Sequence, residues 1–190
     1  FKNCVILILF RITVVNTETR DQVDELNRKA WIAMLSNPRS TIAEAEQAYE
    51  VARKADYPKG RAEALLNLGW IHRYLGEAEA ARDYTTRSLR EFQELDDPEG
   101  IAYAYNALGT VETDLGSYDA ALDYLQLTLD VARRNGLTER EVAALNNIGE
   151  LLDRAGRKDE ALAYFLQAEE LLDDSEPREE AKGVVLANLA

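Results

Sequence analysis

His72 and Cys4 are the only histidine and the only cysteine in this chain of 190 residues, so chemistry that needs either has few places to occur. A nucleophile must lie within hydrogen-bond reach of a base, and structural zinc takes four N or S ligands. One residue of each kind rules out an intrachain disulfide and a cysteine-based zinc site. It all but excludes Ser-His, Cys-His and His-rich metal constellations. The 35 Asp and Glu residues are scattered along the chain and converge on no motif. There is no phosphate-binding glycine loop and no nucleophile–base pair. The sequence therefore predicts no enzyme in this stretch, no cofactor and no metal, and it reads His72 as packed between helices.

Binding chemistry has more material. With 22 basic residues the net charge is −13. Phosphate backbones and anionic lipid both demand clustered positive charge, which argues against a nucleic-acid or membrane-surface partner. A basic peptide remains compatible, although a solvated acidic exterior is the commoner meaning of such a balance. The mix of 46% hydrophobic and 30% charged residues belongs to a soluble folded protein rich in helix formers. Together with the lone cysteine it predicts a cytoplasmic location.

The elements that would position a binding surface recur every 40 residues. Gly69, Gly109 and Gly149 keep that interval, as do Gly76, Gly116 and Gly156, Ala81, Ala121 and Ala161, and Tyr84, Tyr124 and Tyr164. Such periods mark solenoids, whose units bury their apolar faces only against neighbours. Apolar spacing predicts helices over about 21–35, 40–55, 59–75, 78–96, 99–115, 118–135, 139–155 and 158–173. In the first of these Val23, Leu26, Ala30, Trp31 and Met34 form the apolar stripe. Asn37-Pro38, Asp56-Tyr57-Pro58 and Asp96-Asp97-Pro98 interrupt the pattern, and the glycine at 76, 116 or 156 supplies a positive φ that ends the first helix of a pair.

Units then run about 19–57, 58–97, 98–137 and 138–175, with a partial one over 177–190. In that last stretch Asn188-Leu189-Ala190 matches Asn147-Ile148-Gly149, and it reads as a piece cut from a longer protein. Residues 1–18 differ from the remainder. Cys4 to Phe10 is continuously apolar and resumes as Ile12, Thr13, Val14 and Val15. The run is too short to span a bilayer, and its β-branched content predicts a short extended segment. Three origins stay open: an ordered extension on the array, the tail of an upstream segment, or non-native sequence.

Leu66-Asn67-Leu68-Gly69, Leu75-Gly76, Ala80-Ala81 and Tyr84 resemble the tetratricopeptide repeat. Asn106-Ala107-Leu108-Gly109 with Leu115-Gly116 and Ala120-Ala121-Leu122, and Asn146-Asn147-Ile148-Gly149 with Gly156 and Glu160-Ala161-Leu162, are further copies. The resemblance covers residues 20–190 and is to the long, roughly 40-residue variety of kinesin light chains, Rap-type regulators and the input regions of bacterial cyclases and kinases. It implies an all-α solenoid of helix-turn-helix pairs in a right-handed superhelix. The repeated Gly, Ala and Tyr positions are then packing positions.

In that family the first helix of each pair lines a concave wall. Carried over, the partner groove is Glu63, Leu66, Asn67, Trp70, Arg73 and Tyr74 in one unit. The next contributes Tyr103, Asn106, Ala107, Thr110 and Asp114, and the third Asn146, Asn147, Glu150, Asp153 and Arg154. The asparagines either hold the backbone of an extended peptide or link adjacent helices by hydrogen bonds, since an amide donates and accepts at once. Trp70 and Tyr74 are either interface anchors or ordinary packing. A chaperone-type carboxylate clamp is not implied, because Leu66, Ala107 and Asn147 stand where it needs basic residues.

The function expected is peptide or protein binding, as the regulatory or sensory domain of a larger bacterial signalling protein such as a diguanylate cyclase. The alternative is part of a stand-alone scaffold that assembles a multiprotein complex. Self-association through the N-terminal segment or the open C-terminal end is a further expectation.

Overall fold

A computed structural model describes residues 2–173 and 187–188, the side chains of 2–16 and 173 excepted. Among these residues the fold is all helical: α1 (Lys2–Ala33), a 3-10 turn at Pro38–Thr41, α2 (Ile42–Lys54), α3 (Pro58–Tyr74), α4 (Ala78–Glu94), α5 (Pro98–Asp114), α6 (Tyr118–Asn135), α7 (Thr138–Arg154) and α8 (Lys158–Asp173). The all-α repeat of helix pairs is thus observed, with most ends within one or two residues of those predicted. Most of the partial unit expected over 177–190 lies outside the described residues.

The start of the chain corrects an expectation. Residues 2–18 are not extended but belong to α1, a single helix of 32 residues. A β-branched run favours a strand only where a neighbouring strand completes its hydrogen bonds. No strand exists among the described residues, and a helix satisfies its backbone groups from within the segment.

Helix reversals follow from local chemistry. Gly76 takes φ +76°, and the turn closes with Glu77 N–H donating to His72 O (2.9 Å) and Gly76 N–H to Arg73 O (2.9 Å). This is the double hydrogen bond of a left-handed helix cap, for which glycine avoids a Cβ penalty. Gly116 and Gly156 repeat it. The second helix of a pair also ends at a left-handed residue, Asp56 (φ 51°), Asp96 (φ 50°) or Gly136 (φ 65°); aspartate is among the few side chains that tolerate this region. Pro58 and Pro98 open the next helices, where a missing N–H costs little, and the Asp97 carboxylate caps α5 by accepting from Gly100 N–H at 3.1 Å.

The chain forms two compact units, residues 1–95 and 96–190. In the first, α1 packs on α2 and α3, α2 on α3, and α3 on α4. Val23, Met34, Leu65, Leu68, Ile71 and Phe92 are buried there beside Ala45, Ala48 and Ala81. In the second, α5 packs on α6 and α7, α6 on α7, and α7 on α8. Leu125, Leu145, Ile148, Leu152, Phe165 and Ala168 make its core, with Tyr164 and Leu122 packed against it. Each buried Leu or Ile stabilises by about 1.5–3 kcal/mol relative to exposure.

The repeated small residues mark close helix approach, as expected, but the alanines are only part of the reason. A Cβ on Gly109 would sit 2.6 Å from Leu125 Cγ and 3.3 Å from Ala121 O. At Gly149 it would meet the Phe165 ring, and at Gly69 the Thr85 hydroxyl. Positions 85, 125 and 165 therefore fill the space that the glycines leave.

Candidate functional site

The first helices of unit 1 are α1 and α3, linked by amides. Asn67 Nδ2 donates to Asn27 O at 3.0 Å, and Asn27 Nδ2 donates to Gly60 O at 2.9 Å. Both side chains are buried, at 6% and 5% exposure. Of the two roles left open for Asn67, the geometry displays the helix-linking one. Leu66 is buried as well, and Glu63 accepts from Asn27 Nδ2 at 3.5 Å.

Above this link lies a stack of rings. Trp70 meets Trp31 edge-on at 6.5 Å between centroids and stacks on Tyr74 at 6.1 Å. The Arg73 guanidinium lies 5.3 Å from the Trp70 centroid and 5.8 Å from that of Tyr74, within cation–π range. Trp70 is only 8% exposed and so acts chiefly as the support, whereas Tyr74 is 45% exposed. Trp31, read in the sequence as part of the apolar stripe, is 40% exposed, and Ile32 and Leu35, near it in sequence, are 60% and 73% exposed. These three were not among the predicted groove residues. The signal available was that Trp31, Ile32 and Leu35 crowd one end of a helix without the polar residues that usually face water.

His72, on the same helix, stacks on Tyr84 at 5.0 Å and shares a 2.6 Å hydrogen bond with Glu77 across the α3–α4 turn. It lies between helices, as expected.

Unit 2 presents α5 and α7. Asn147 Nδ2 donates to Asn106 Oδ1 at 2.7 Å, and Asn188 Nδ2 to Asn146 Oδ1 at 2.9 Å. Asn106 and Asn146 are buried while Asn147 is half-buried. The neighbouring wall is polar. Arg154 pairs with Glu150 at 2.6 Å and with Asp114 at 3.6 Å, and Asp153 is exposed. Thr110 donates its hydroxyl proton to Ala107 O at 2.8 Å. Tyr103 receives the Arg140 guanidinium at 4.3 Å over its ring. Among the described residues no group of three or more His, Cys, Asp and Glu side chains could hold a metal, and no helix is long and apolar enough to cross a membrane.

The repeating glycine-capped pairs, their amide links and their small-residue contacts have a counterpart in known sequences. Two sequence models described as tetratricopeptide repeat match this chain, one over residues 62–91 and the other over 100–174. The chain is a tetratricopeptide-repeat protein. Solved structures agree on the fold. BtubC (BKLC) from P. vanneervenii is 22% identical with a TM-score of 0.68, covering 81% of this chain and 65% of its own. The apo form of RapI is 16% identical with a TM-score of 0.72, covering 88% and 61%. A putative kinesin light chain of Podosopora anserina with nearly identical TPR-like repeats is 13% identical with a TM-score of 0.64, covering 92% and 84%. This tetratricopeptide-repeat chain thus spans less than two thirds of the first two. A comparison with curated protein sequences finds no match. An all-helical tetratricopeptide fold is one consistent with protein–protein interaction.

Proposed function

We propose that this chain is a protein-interaction module whose first helices hold a peptide or a segment of a partner protein. The observation that carries this reading is the ring stack of Trp31, Trp70 and Tyr74, in which Trp31 and Tyr74 stay 40% and 45% exposed over the supporting Trp70. A folded protein scatters exposed apolar residues singly; two exposed rings stacked on a common support mark a surface suited to being covered. Aromatic anchors supply large contact area for little lost rotamer freedom, and they dominate binding energy where they occur.

The wall of unit 2 supports the same reading with different chemistry. Asn147 reaches Asn106 through Nδ2 alone, which leaves its Oδ1 as an acceptor, and Asn106 retains its Nδ2 donors. One acceptor beside one donor is complementary to a peptide group, whatever its side chain. The setting we infer is the regulatory or sensory part of a larger bacterial signalling protein, supported by the resemblance of the repeats to the input regions of cyclases and kinases.

Peptide display against the chain tests the module. Selected peptides should bind the double variant Trp31→Ala/Tyr74→Ala at least about tenfold more weakly by fluorescence anisotropy, with helical circular dichroism unchanged. Equal affinity for the variant would overturn the aromatic surface as the binding site.

A further inference from the structure

The net charge of the chain resides in one unit. Residues 1–95 carry 14 acidic and 14 basic side chains, whereas residues 96–190 carry 21 and 8. Unit 1 is therefore neutral and unit 2 holds the whole excess of negative charge, an asymmetry that sorts partners by sign.

On the first helices of unit 2 this charge gathers at one end of a seam. Asn106, Thr110 and Asp114 follow one another at one-turn spacing along α5, and Asn147, Glu150 and Arg154 do so along α7. The two stripes meet at both ends. Asn147 Nδ2 donates to Asn106 Oδ1 at 2.7 Å, and the Arg154 guanidinium lies 3.6 Å from Asp114 and 2.6 Å from Glu150. Asp153 is exposed and has no ion pair among the described residues. Three carboxylates thus surround Arg154, the only basic residue in the last turn of either helix. Asp114 and Asp153 also stand at helix C-termini, where backbone carbonyls already carry partial negative charge and a cation is the stabilising neighbour.

The opposite end of the seam has an unmet need of its own. Asn106 is only 6% exposed, and with its Oδ1 taken by Asn147 its Nδ2 has no partner among the described residues. A buried donor left without an acceptor is unfavourable, so a carbonyl brought from outside is stabilised there.

We propose that unit 2 holds an extended, lysine-bearing segment of a partner protein along the seam of α5 and α7, which rests on the reading that the first helices bind polypeptide. A backbone carbonyl of the segment accepts from Asn106 Nδ2, and a backbone N–H donates to Asn147 Oδ1. The lysine ammonium enters among Asp114, Glu150 and Asp153. From Asn106 to Asp114 the helix rises about 12 Å, which an extended chain spans in about three or four residues. That separation fixes where the lysine stands relative to the held peptide group. A compact ammonium with rotatable donors suits carboxylates spread around an existing guanidinium better than a second planar fork does. An acidic segment is repelled there, and a neutral one gains the amide contacts alone.

Fluorescence anisotropy of the whole chain at physiological salt, with a labelled, end-blocked peptide of repeating Lys-Ser-Gly, tests this. Repeating Gln-Ser-Gly and Glu-Ser-Gly serve as comparison probes. Saturable binding of the lysine peptide is expected, with the glutamine peptide at least about tenfold weaker and the glutamate peptide weaker still. Asp114→Asn/Asp153→Asn alters two exposed side chains and relieves the helix ends, so the fold is not at risk. It should weaken the lysine peptide about tenfold and leave the glutamine peptide unaffected. Asp123→Asn/Asp130→Asn removes the same charge from exposed positions of α6 and should change lysine-peptide affinity by less than about twofold. Equal losses in the two double variants would mean diffuse attraction to unit 2 and would overturn the proposal. Equal affinity for the lysine and glutamine peptides would overturn it too. Display-selected peptides that bind where the lysine peptide does not would sink this proposal alone, whereas capture of no peptide by either route would sink the broader reading with it.

Discussion

Equivalent positions in the two units carry opposite chemistry. Trp70 and Tyr74 of unit 1 correspond, 40 residues on, to Thr110 and Asp114, and again to Glu150 and Arg154 in unit 2. Unit 1 stacks rings there; unit 2 pairs Arg154 with Glu150 and Asp114. Positions that hold the pairs together do not vary in this way. Residues 81, 121 and 161 are all alanine and at most 2% exposed. The repeat thus fixes what must pack and frees the outward turns of the first helices to specialise. A partner of unit 1 would gain by excluding water from aromatic surface, which salt barely affects. Contacts with unit 2 would be charged, and screened over a Debye length of about 8 Å at physiological salt.

The sharpest test of the shared packing is Gly109→Leu. A side chain there collides with Leu125, and overpacking of a close helix contact costs about 3 kcal/mol. Urea unfolding followed by circular dichroism should show it, and a variant as stable as the parent would break the packing assignment. Gly69→Ala in unit 1 meets only the Thr85 hydroxyl at closest approach, so pairing it with Thr85→Ala should restore most of its smaller loss.

The amide links should separate the units next. Asn67→Ala removes the buried bonds to Asn27 O and Oδ1 and is expected to cost about 2 kcal/mol, whereas Asn147→Ala, at a half-buried site, should cost about 1 kcal/mol. Equal losses at both would remove the distinction between a buried and a wall-facing amide. Thr85→Val works in the opposite direction. Its hydroxyl is fully buried and has no hydrogen-bond partner, so a methyl in its place should raise the unfolding free energy by about 1 kcal/mol. Position 125, where unit 2 already has leucine, offers no such gain.

The smallest effect belongs to Tyr57. Burial first, and then its hydrogen bond to the Asp24 carboxylate, push the phenol up to about 12 from its usual 10.0. The folded state therefore favours the protonated phenol. That contribution is whole below pH 10 and disappears as pH rises toward 12. A pH series of thermal melts should show a shallower decline between pH 10 and 12 for Tyr57→Phe than for the parent. Parallel declines would mean that the phenol is not linked to folding.

Helix limits were legible because each reversal has its own residue signature: Gly76, Gly116, Gly156, and the Asp-x-Pro ends at 56–58 and 96–98. The start of α1 was not, because β propensity describes a fit to a sheet and says nothing where no sheet exists. Side-chain roles were legible only in part. Asn67 and Asn147 stand at equivalent sequence positions, yet the first donates to a backbone carbonyl at 3.0 Å and to a side-chain oxygen at 3.4 Å, and the second to a side chain alone. That choice depends on how two helices sit against each other, and spacing within one helix does not contain it. Trp31 had the right period for the core, but a ring that large covers more than one face and remained 40% exposed.

The left-handed residues at 56, 76, 96, 116, 136 and 156 fall at uniform steps of 20 along the chain. Every rod between them is metered to the same few turns. One residue inserted within a rod swings all that follows in it by about 100°, carrying apolar side chains out to water and polar ones inward. Surviving length changes in such a chain are therefore confined to the reversals themselves or to whole helices gained and lost, which makes the module easy to extend and hard to stretch.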